Sequence, residues 1–467
     1  MTHIFFWISL ILFASIGLRG ASRVLEITMR IFNLNISTPS WYTGRLWLMR
    51  LGYYKLNRPK VITNDWIWII DHSVQIGSEK CFVILGIRLC DLPINRSLRY
   101  EDVEPIELVP VTKSNGNIVY EQLESASKKT GIPREIVADK GPDIKYGIEK
   151  FCEKHQETSY IYDVTHMMAS MLKSILENDV DWDRFAKLCV QTKQQVQQTS
   201  LAALAPPNQR SKSRYMNVDI LIKWAENMIM FLHQTDSRIG KNFDIEKVKE
   251  KFSWIDEYFF KILTWSQMMR AVSTTEDFVR KNGLYNGVEV DLKNKLNELN
   301  FNVSQKSIIE DIVNAIKSES RNAKHNERLL GSSEIIESLF GKQKYIEKQQ
   351  SKSGFTGLIL SSAALVSNTT KSVVKKAMEL TKTQHVINWC KENLKKSVQA
   401  KRAEAFDFST LSIQSIISDT FSEKFSKTVE IVDNNNIGNA IAKTIPMVNF
   451  SNKSEQKVSQ DLLVSIG

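Results

Sequence analysis

The chain has 467 residues, 42% of them hydrophobic and 24% charged, which is the composition of a globular protein long enough for several domains. Its 62 lysines and arginines exceed its 52 acidic residues, and the resulting formal charge of +10 favours a polyanionic partner. The five cysteines are scattered and form no Cys-x-x-Cys pair, which argues against a zinc ribbon and a disulfide scaffold and fits a reducing cytoplasm.

The N-terminal region, residues 1–58, is predicted to be a helical accessory or DNA-binding region. Residues 4–17 form an almost unbroken apolar run, and residues 24–32 form an amphipathic stretch. The apolar run follows no basic segment and is shorter than the roughly 20 residues that a membrane-spanning helix needs. We therefore interpret the two stretches as packed helices, with a membrane segment as the alternative.

From residue 60 the pattern is typical of a sheet. Residues 65–76 are apolar on both faces, as expected of a central buried strand. The elements predicted in chain order are strands at 65–76, 81–89 and 105–111, a helix at 121–129, a strand at 135–138, a helix at 142–154 and a strand at 158–162. This order, β-β-β-α-β-α-β, is that of the RNase H fold.

The chain after Asp163 is predicted to be helical for about 160 residues, with runs at 167–176, 182–197, 218–232, 245–269 and 292–316. A basic, proline-containing loop at 205–214 interrupts these runs. A further helix is predicted at 333–348, and we expect it to pack in the core that contains the sheet. The fold class predicted is α/β, an RNase H-like mixed sheet flanked by helices and interrupted by a large all-helical insertion, with helical N- and C-terminal regions. The segments after the N-terminal region are the first part of the core (59–168), the insertion (169–325), a catalytic helix completing the core (326–350), a basic helical region (351–404) and a polar tail (405–467).

Two acidic residues lie on the predicted central strands, one inside the first strand and one at the end of the fourth. Asp71 lies inside the first strand, where an acid is costly to bury unless it is paired or bound to metal. Asp139 ends the fourth strand, and adjacent parallel strands would bring it beside Asp71. Asp139 could also be a turn residue before Gly141, in which case Asp143 is the fallback. Clustered carboxylates of this kind can hold the two divalent cations used in phosphodiester chemistry.

Four stretches of the chain, at 69–77, 136–143, 162–166 and 333–344, resemble the DDE transposases of bacterial insertion sequences. The resemblance covers roughly residues 40–400. It implies that Asp71, Asp139 and Glu337 are the catalytic, metal-binding acids. The long interval between Asp139 and Glu337 resembles family members with a helical insertion. Leu330 and Ser333 stand where the family usually has Tyr and Arg, which leaves the subfamily open.

The resemblance also implies a reaction and partners. The expected enzyme is a DNA transposase that cleaves at the ends of a mobile element and joins the freed 3′-hydroxyl to target DNA by transesterification. It would use two Mg²⁺ ions, with Mn²⁺ able to substitute, and would bind double-stranded DNA as a homodimer or larger synaptic oligomer. The expected location is the cytoplasm, at the nucleoid and not at a membrane. The alternatives are an RNase H-like nuclease or resolvase that cuts without joining, and an inactive DNA-binding remnant.

Two auxiliary features follow from the same resemblance. Asp163 and His166 match an Asp-x-x-His signature, although Asp163 could instead be a plain helix N-cap with His166 packed beside it. Glu337 and Lys344 match a Glu-x6-Lys spacing, which favours Glu337 over Glu334 as the third acid.

Basic and aromatic residues complete the predicted DNA-binding set. Residues 342–402 contain 13 Lys and Arg against 3 Glu, which favours a track for the DNA backbone over a solvated face. The DNA-binding candidates are Lys342, Lys344, Lys212 and Arg214. Trp265 is interpreted as a core residue, with stacking on an unpaired base as the alternative. His72 should point away from Asp71, to the other face of the strand.

Overall fold

Five strands form one mixed sheet in the part of the chain that the computed structural model describes, namely residues 1–76, 79–208, 218–234, 242–299, 306–349, 356–394, 398–406 and the single residues 301 and 396. The strands are β1 (Trp66–Ile76), β2 (Glu79–Arg88), β3 (Glu104–Val111), β4 (Glu135–Ala138) and β5 (Ser159–Tyr162). They lie in the order β3-β2-β1-β4-β5. β2 is antiparallel to both β1 and β3, whereas β4 is parallel to both β1 and β5. The mixed sheet and its strands agree with the prediction from sequence.

Helices cover both faces of the sheet. In chain order they are α1 (Thr2–Leu12), α2 (Leu18–Ile31), α3 (Trp41–Asn57), α4 (Gly116–Thr130), α5 (Pro142–Lys154), α6 (Val164–Leu176), α7 (Val180–Val196), α8 (Val218–His233), α9 (Ile245–Phe252), α10 (Phe259–Asn282), α11 (Val288–Asn297), α12 (Lys306–Ser320), α13 (Glu334–Glu347), α14 (Ser361–Leu365), α15 (Lys371–Leu380), α16 (Thr383–Asn393) and α17 (Val398–Ala405). The hydrophobic core on one face contains α4 and α5, and the core on the other face contains the N-terminal helices, α6 and α13.

The two faces of β1 have separate surroundings. Ile69 belongs to the core that contains α13, whereas Trp68 and Ile70 belong to the core that contains α4 and α5, and all three are fully buried. Since side chains alternate along a strand, Asp71 points to the side of Ile69 and His72 to the side of Ile70. The separation predicted for these two neighbours is confirmed.

The apolar N-terminal run forms a helix that packs inside the protein. α1 contacts α2 and α3, and its Trp7 and Ile8 are fully buried. The indole Nε1 of Trp7 donates to Ser22 Oγ at 3.1 Å, which joins α1 to α2. Among the described residues, none of the helices combines the length and the apolar character required to cross a bilayer. The prediction of packed helices is confirmed.

Two of the helices predicted in the insertion are wrong in extent. The run at 245–269 is divided by a 3₁₀ segment, Ser253–Tyr258, between α9 and α10. Phe252, Ile255 and Tyr258 are all buried, and their spacing of three suits a helix with three residues per turn. The run predicted at 292–316 is two helices, because α11 ends at Asn297 and α12 begins at Lys306.

Trp265 is a core residue of the insertion. Its side chain is 2% exposed, and it meets the ring of Trp182 edge to face at 5.0 Å between centroids. Its Nε1 donates to Asp179 Oδ2 at 3.1 Å, so the polar end of the indole is also satisfied inside the protein. The structure therefore supports the core interpretation and leaves no exposed ring face for a base.

The C-terminal helices pack on α3. The ammonium of Lys55 is fully buried and donates to the carbonyl oxygens of Ala364, Val366 and Ser367 at 2.6–3.0 Å and to Thr369 Oγ1 at 2.6 Å. Burial lowers the pKa of Lys55 to about 7. These bonds fix the backbone that follows α14 against an N-terminal helix, so two regions that are far apart in sequence form one packed body.

Candidate active site

Asp71 lies at the centre of the candidate site. Burial, together with the nearby carboxylates of Asp139 and Glu337, raises the pKa of Asp71 to about 7. The backbone N–H of His72, which donates to Asp71 Oδ1 at 2.6 Å, and the His166 side chain oppose this rise. Asp139 and Glu337 therefore each lie near enough to Asp71 to interact with it electrostatically.

Asp139 reaches the site from the strand next to β1. The parallel pairing of β1 with β4 ends at Ile69 and Val137, and Asp71 and Asp139 each lie two residues beyond that last pair. Asp139 Oδ1 accepts the N–H of Gly141 at 3.0 Å, which forms the turn into α5. The Tyr160 hydroxyl donates to the Asp139 carbonyl oxygen, and burial raises the pKa of this tyrosine, so it remains a donor. Asp139 is thus both a turn residue and a neighbour of Asp71.

Glu337 reaches the site from the first turn of α13 and pairs with His166 of α6. Oε1 of Glu337 lies 3.1 Å from Nε2 of His166. This hydrogen bond, assisted by Asp163 and Asp139, raises the pKa of His166 to about 9 against the effect of burial. At neutral pH the site therefore contains one imidazolium among its carboxylates.

Asp163 connects the two helices that carry His166 and Glu337. Its carboxylate is fully buried. Oδ1 accepts the N–H of His166 at 2.9 Å as the N-cap of α6, and Oδ2 accepts the N–H and the hydroxyl of Ser333 at 2.6 and 2.9 Å. Asp163 is therefore an N-cap, as one of the two predictions had it, and it also fixes the start of α13. His166 does more than pack, because it holds Glu337.

Glu334 and Asp143 lie outside this group. Glu334 Oε2 is 2.8 Å from Nε of Arg280, on helix α10 of the insertion. Asp143 lies on the other face of the sheet, where its Oδ2 is 3.3 Å from Lys80 Nζ and 3.7 Å from His72 Nδ1. Although burial alone would raise the pKa of Asp143, Ser114, His72 and Lys80 hold it below its ordinary value. The fallback acid is therefore occupied away from Asp71.

The predicted DNA-binding residues have different surroundings. Lys342 is half-buried, with its Nζ 2.5 Å from the Leu12 carbonyl oxygen and 5.2 Å from the centroid of the Tyr100 ring. Its ammonium is thus engaged within the chain, which does not favour a DNA contact. Lys344 is exposed in the last turn of α13. Lys212 and Arg214 lie outside the described residues.

The carboxylates do not form a closed metal cage. Within the described ranges, no group of three or more His, Cys, Asp and Glu side chains is arranged to hold a metal ion. The donor chemistry nevertheless fits a hard cation, because Asp71, Asp139 and Glu337 offer carboxylate oxygens. The raised pKa of Asp71 also indicates that its negative charge is not fully balanced by the residues around it.

Two cations beside the site were not identified from sequence. Lys140 directly follows Asp139, and this adjacency was a signal that could have been used. Arg280 bridges Glu334 and Glu276 from α10, with Arg280–Glu276 at 3.5 Å. Nothing in the sequence around Arg280 indicates the site, because its partner on α13 is 54 residues further along the chain.

The sequence matches no protein-family model and no curated protein. Among solved structures, the chain is similar to one described as "Drosophila P element transposase strand transfer complex", with 10% sequence identity and a TM-score of 0.40. The alignment covers 79% of this chain and 92% of that chain.

Proposed function

We propose that the chain is a DDE-type DNA transposase that cleaves DNA at the ends of a mobile element and joins them to target DNA. The observation that carries the proposal is the convergence of Asp71, Asp139 and Glu337 from β1, the end of β4 and α13. The strand order β3-β2-β1-β4-β5, with Asp71 on β1 and Asp139 directly after the adjacent parallel strand β4, supports an RNase H-like core.

The three carboxylates are the groups that would hold Mg²⁺. When bound, the metal would activate the attacking oxygen and stabilise the leaving oxygen in phosphodiester cleavage. Asp71 and Asp139 are fixed by backbone N–H groups, and Glu337 is oriented by His166. His166 also keeps a positive charge beside Glu337, which reduces the repulsion among the acids. Tyr160 fixes the backbone of Asp139 from the next strand.

Charge-removing substitutions at the two strand acids test the proposal. Asp71→Asn and Asp139→Asn should each abolish cleavage and joining and leave DNA binding nearly unchanged. Asp143→Asn is the matched control, because Asp143 is a nearby acid on the other face of the sheet. The substrates are DNA segments that flank the gene, tested with Mg²⁺ in a cleavage assay and, as a pre-cut end with target plasmid, in a joining assay.

A second measurement does not depend on activity. Binding of Mn²⁺ to the purified protein should be weakened in both Asn variants and kept in the Asp143→Asn control. Cleavage without any joined product would support a nuclease instead, and substantial joining by Asp71→Asn or Asp139→Asn would remove that residue from the site.

A further inference from the structure

Lys140 is a half-exposed cation beside the candidate site. It directly follows Asp139 at the end of β4, and 46% of its side chain is exposed. Its Nζ lies 4.2 Å from the centroid of the Tyr162 ring, within the range of a cation–π contact. The same Nζ is 3.9 Å from Oε1 of Glu319, at the end of α12 in the insertion. The ammonium is therefore held over the ends of β4 and β5.

Tyr162 relates this position to His166. Tyr162 is the last residue of β5, and its hydroxyl is 3.0 Å from Ser170 Oγ on α6. His166 lies one turn before Ser170 on the same helix, and residues four apart share a helix face. Lys140 and Tyr162 thus directly neighbour Asp139 and Asp163 in sequence, and Tyr162 contacts the face of α6 that also carries His166.

The ion pair between Lys140 and Glu319 is weak. A separation of 3.9 Å is at the outer limit for an ion pair, and the ammonium side of the pair is 46% exposed, so the pair contributes little to stability. Glu319 is itself held in place, because its Oε2 accepts the N–H of Tyr162 at 3.1 Å and its side chain is only 16% exposed. A DNA phosphate can therefore replace Glu319 as the anion next to Lys140, while the side chains of Tyr162 and Glu319 keep their positions.

We propose that Lys140 binds a backbone phosphate of the DNA strand next to the scissile bond. Tyr162 positions the Lys140 ammonium through the cation–π contact, and the phosphate takes the place of Glu319 as the ion-pair partner of Lys140. The inference rests on the proposed function and names a substrate contact of the same site. It assigns opposite effects to two neighbouring charges. Lys140 attracts the DNA, and the fixed carboxylate of Glu319 opposes its binding.

The chain provides a matched control in Lys145. This residue lies five positions after Lys140, is 47% exposed and pairs weakly with Glu149 at 3.7 Å. DNA affinity should be measured over a series of salt concentrations for Lys140→Ala, Lys145→Ala and Glu319→Gln. Lys140→Ala should bind about five to ten times more weakly and lose roughly one unit of the salt slope, as expected for one phosphate contact. Lys145→Ala should match the unsubstituted protein. Glu319→Gln can still accept the N–H of Tyr162 and should bind a few times more tightly.

Other outcomes would overturn the inference. Equal effects of Lys140→Ala and Lys145→Ala would show that only general charge matters, and weaker binding by Glu319→Gln would exclude its role as a displaced partner. The free energy of unfolding of each variant, measured in denaturant, should be unchanged. A variant that loses both stability and DNA affinity would indicate a structural role for the substituted residue. The unsubstituted protein and Asp139→Asn, assayed in parallel, separate this inference from the proposed function. If the unsubstituted protein joins no DNA, the function is wrong, whereas normal DNA binding by Lys140→Ala beside an active unsubstituted protein and an inactive Asp139→Asn contradicts only the lysine contact.

Discussion

Nε2 of His166 lies 3.1 Å from Oε1 of Glu337, although 171 residues separate them in sequence. The chain leaves the sheet at Asp163, forms the insertion and returns at Ser333, whose N–H and hydroxyl both bond to Asp163. The N–H of Val164 also donates to the Gly331 carbonyl oxygen at 3.0 Å. Hydrogen bonds thus join the segment that precedes the insertion to the segment that follows it, beside the candidate site. The position of Glu337 depends on these few bonds.

Replacement of Asp163 should destabilise the protein strongly. Asp163→Ala leaves the N–H of His166 and two buried donors of Ser333 without their acceptor, and each buried unsatisfied group costs about 1–3 kcal/mol. We expect a loss of roughly 3 kcal/mol or more in the free energy of unfolding, measured in denaturant at neutral pH. Asp163→Asn keeps one acceptor oxygen and should lose less.

An exposed N-cap provides the control for Asp163. Asp244 caps α9 by accepting the N–H of Lys247 at 3.4 Å, and its side chain is 47% exposed. Asp244→Ala should lose at most about 1 kcal/mol, the usual cost of removing a cap. Similar losses for the two alanine variants would mean that Asp163 acts only as a cap and does not hold α13.

The sheet could be predicted from sequence because its rules are local. An apolar run on both faces predicts a central strand, as in β1, and period-two alternation separates Asp71 from His72. The insertion was harder to predict. The 3₁₀ segment at Ser253–Tyr258 keeps its apolar residues three apart, which is close to the helical spacing of 3.6, so the pattern alone does not reveal the break between α9 and α10.

Glu276 should make stability depend on pH. Burial, with Asp163, Glu334 and Asp219 nearby, raises the pKa of Glu276 to about 7 despite Arg280. The folded state therefore retains a proton that the unfolded state releases near pH 4.5. The free energy of unfolding therefore includes a contribution from protonated Glu276 that is fully present below about pH 4.5 and is lost as the pH rises to about 7.

Glu276→Gln removes this dependence. Between pH 4.5 and pH 8, the free energy of unfolding of the variant should rise relative to that of the unsubstituted protein by roughly 3 kcal/mol, since one pKa unit corresponds to about 1.4 kcal/mol. Denaturant unfolding of both proteins at several pH values measures the difference. A difference that stays constant with pH would show that Glu276 does not titrate in this range.

The exposed lysines of α15 and α16 should contribute to DNA binding without reading its sequence. The four to be replaced by Gln together are Lys371, Lys375, Lys376 and Lys391. If they contact phosphates, binding to all DNA sequences should weaken alike, and the salt slope should fall by up to about four units. Gel shifts with two unrelated duplexes at several salt concentrations measure both effects.

Four exposed lysines of the insertion, replaced together by Gln, control for net charge. They are Lys247, Lys249, Lys293 and Lys295, all exposed on α9 and α11. If both quadruple variants change the salt slope equally, the basic C-terminal region is a solvated face and not a DNA track.

The candidate site could be predicted only in part. Asp71 and Asp139 follow from strand order, because adjacent parallel strands bring their ends together. The contact of His166 with Glu337 and that of Arg280 with Glu334 depend on how α6, α10 and α13 pack. No periodicity in the sequence specifies such packing, so the partners of the two glutamates are learned only from the structure.

The last prediction is that Glu337 and not Glu334 is the third acid of the site. Both lie in the first turn of α13, one helical turn apart. The buried side chains of Ile336, Leu339 and Phe340 fix the helix against the core, as predicted from their spacing. In this orientation Glu337 meets His166 and acts on Asp71, whereas Glu334 turns to Arg280.

Two isosteric variants separate these assignments. Glu337→Gln should reduce Mg²⁺-dependent end cleavage by about a hundredfold or more, the scale on which loss of one electrostatic group at a reacting centre is felt. Glu334→Gln should cleave within a fewfold of the unsubstituted protein, because its charge balances Arg280 and lies outside the group around Asp71. Glu337→Gln should also lower the pKa of His166, measurable by NMR titration, since the carboxylate that raises this pKa is lost. An inactive Glu334→Gln beside an active Glu337→Gln would reverse the assignment and move the centre of the site toward the insertion.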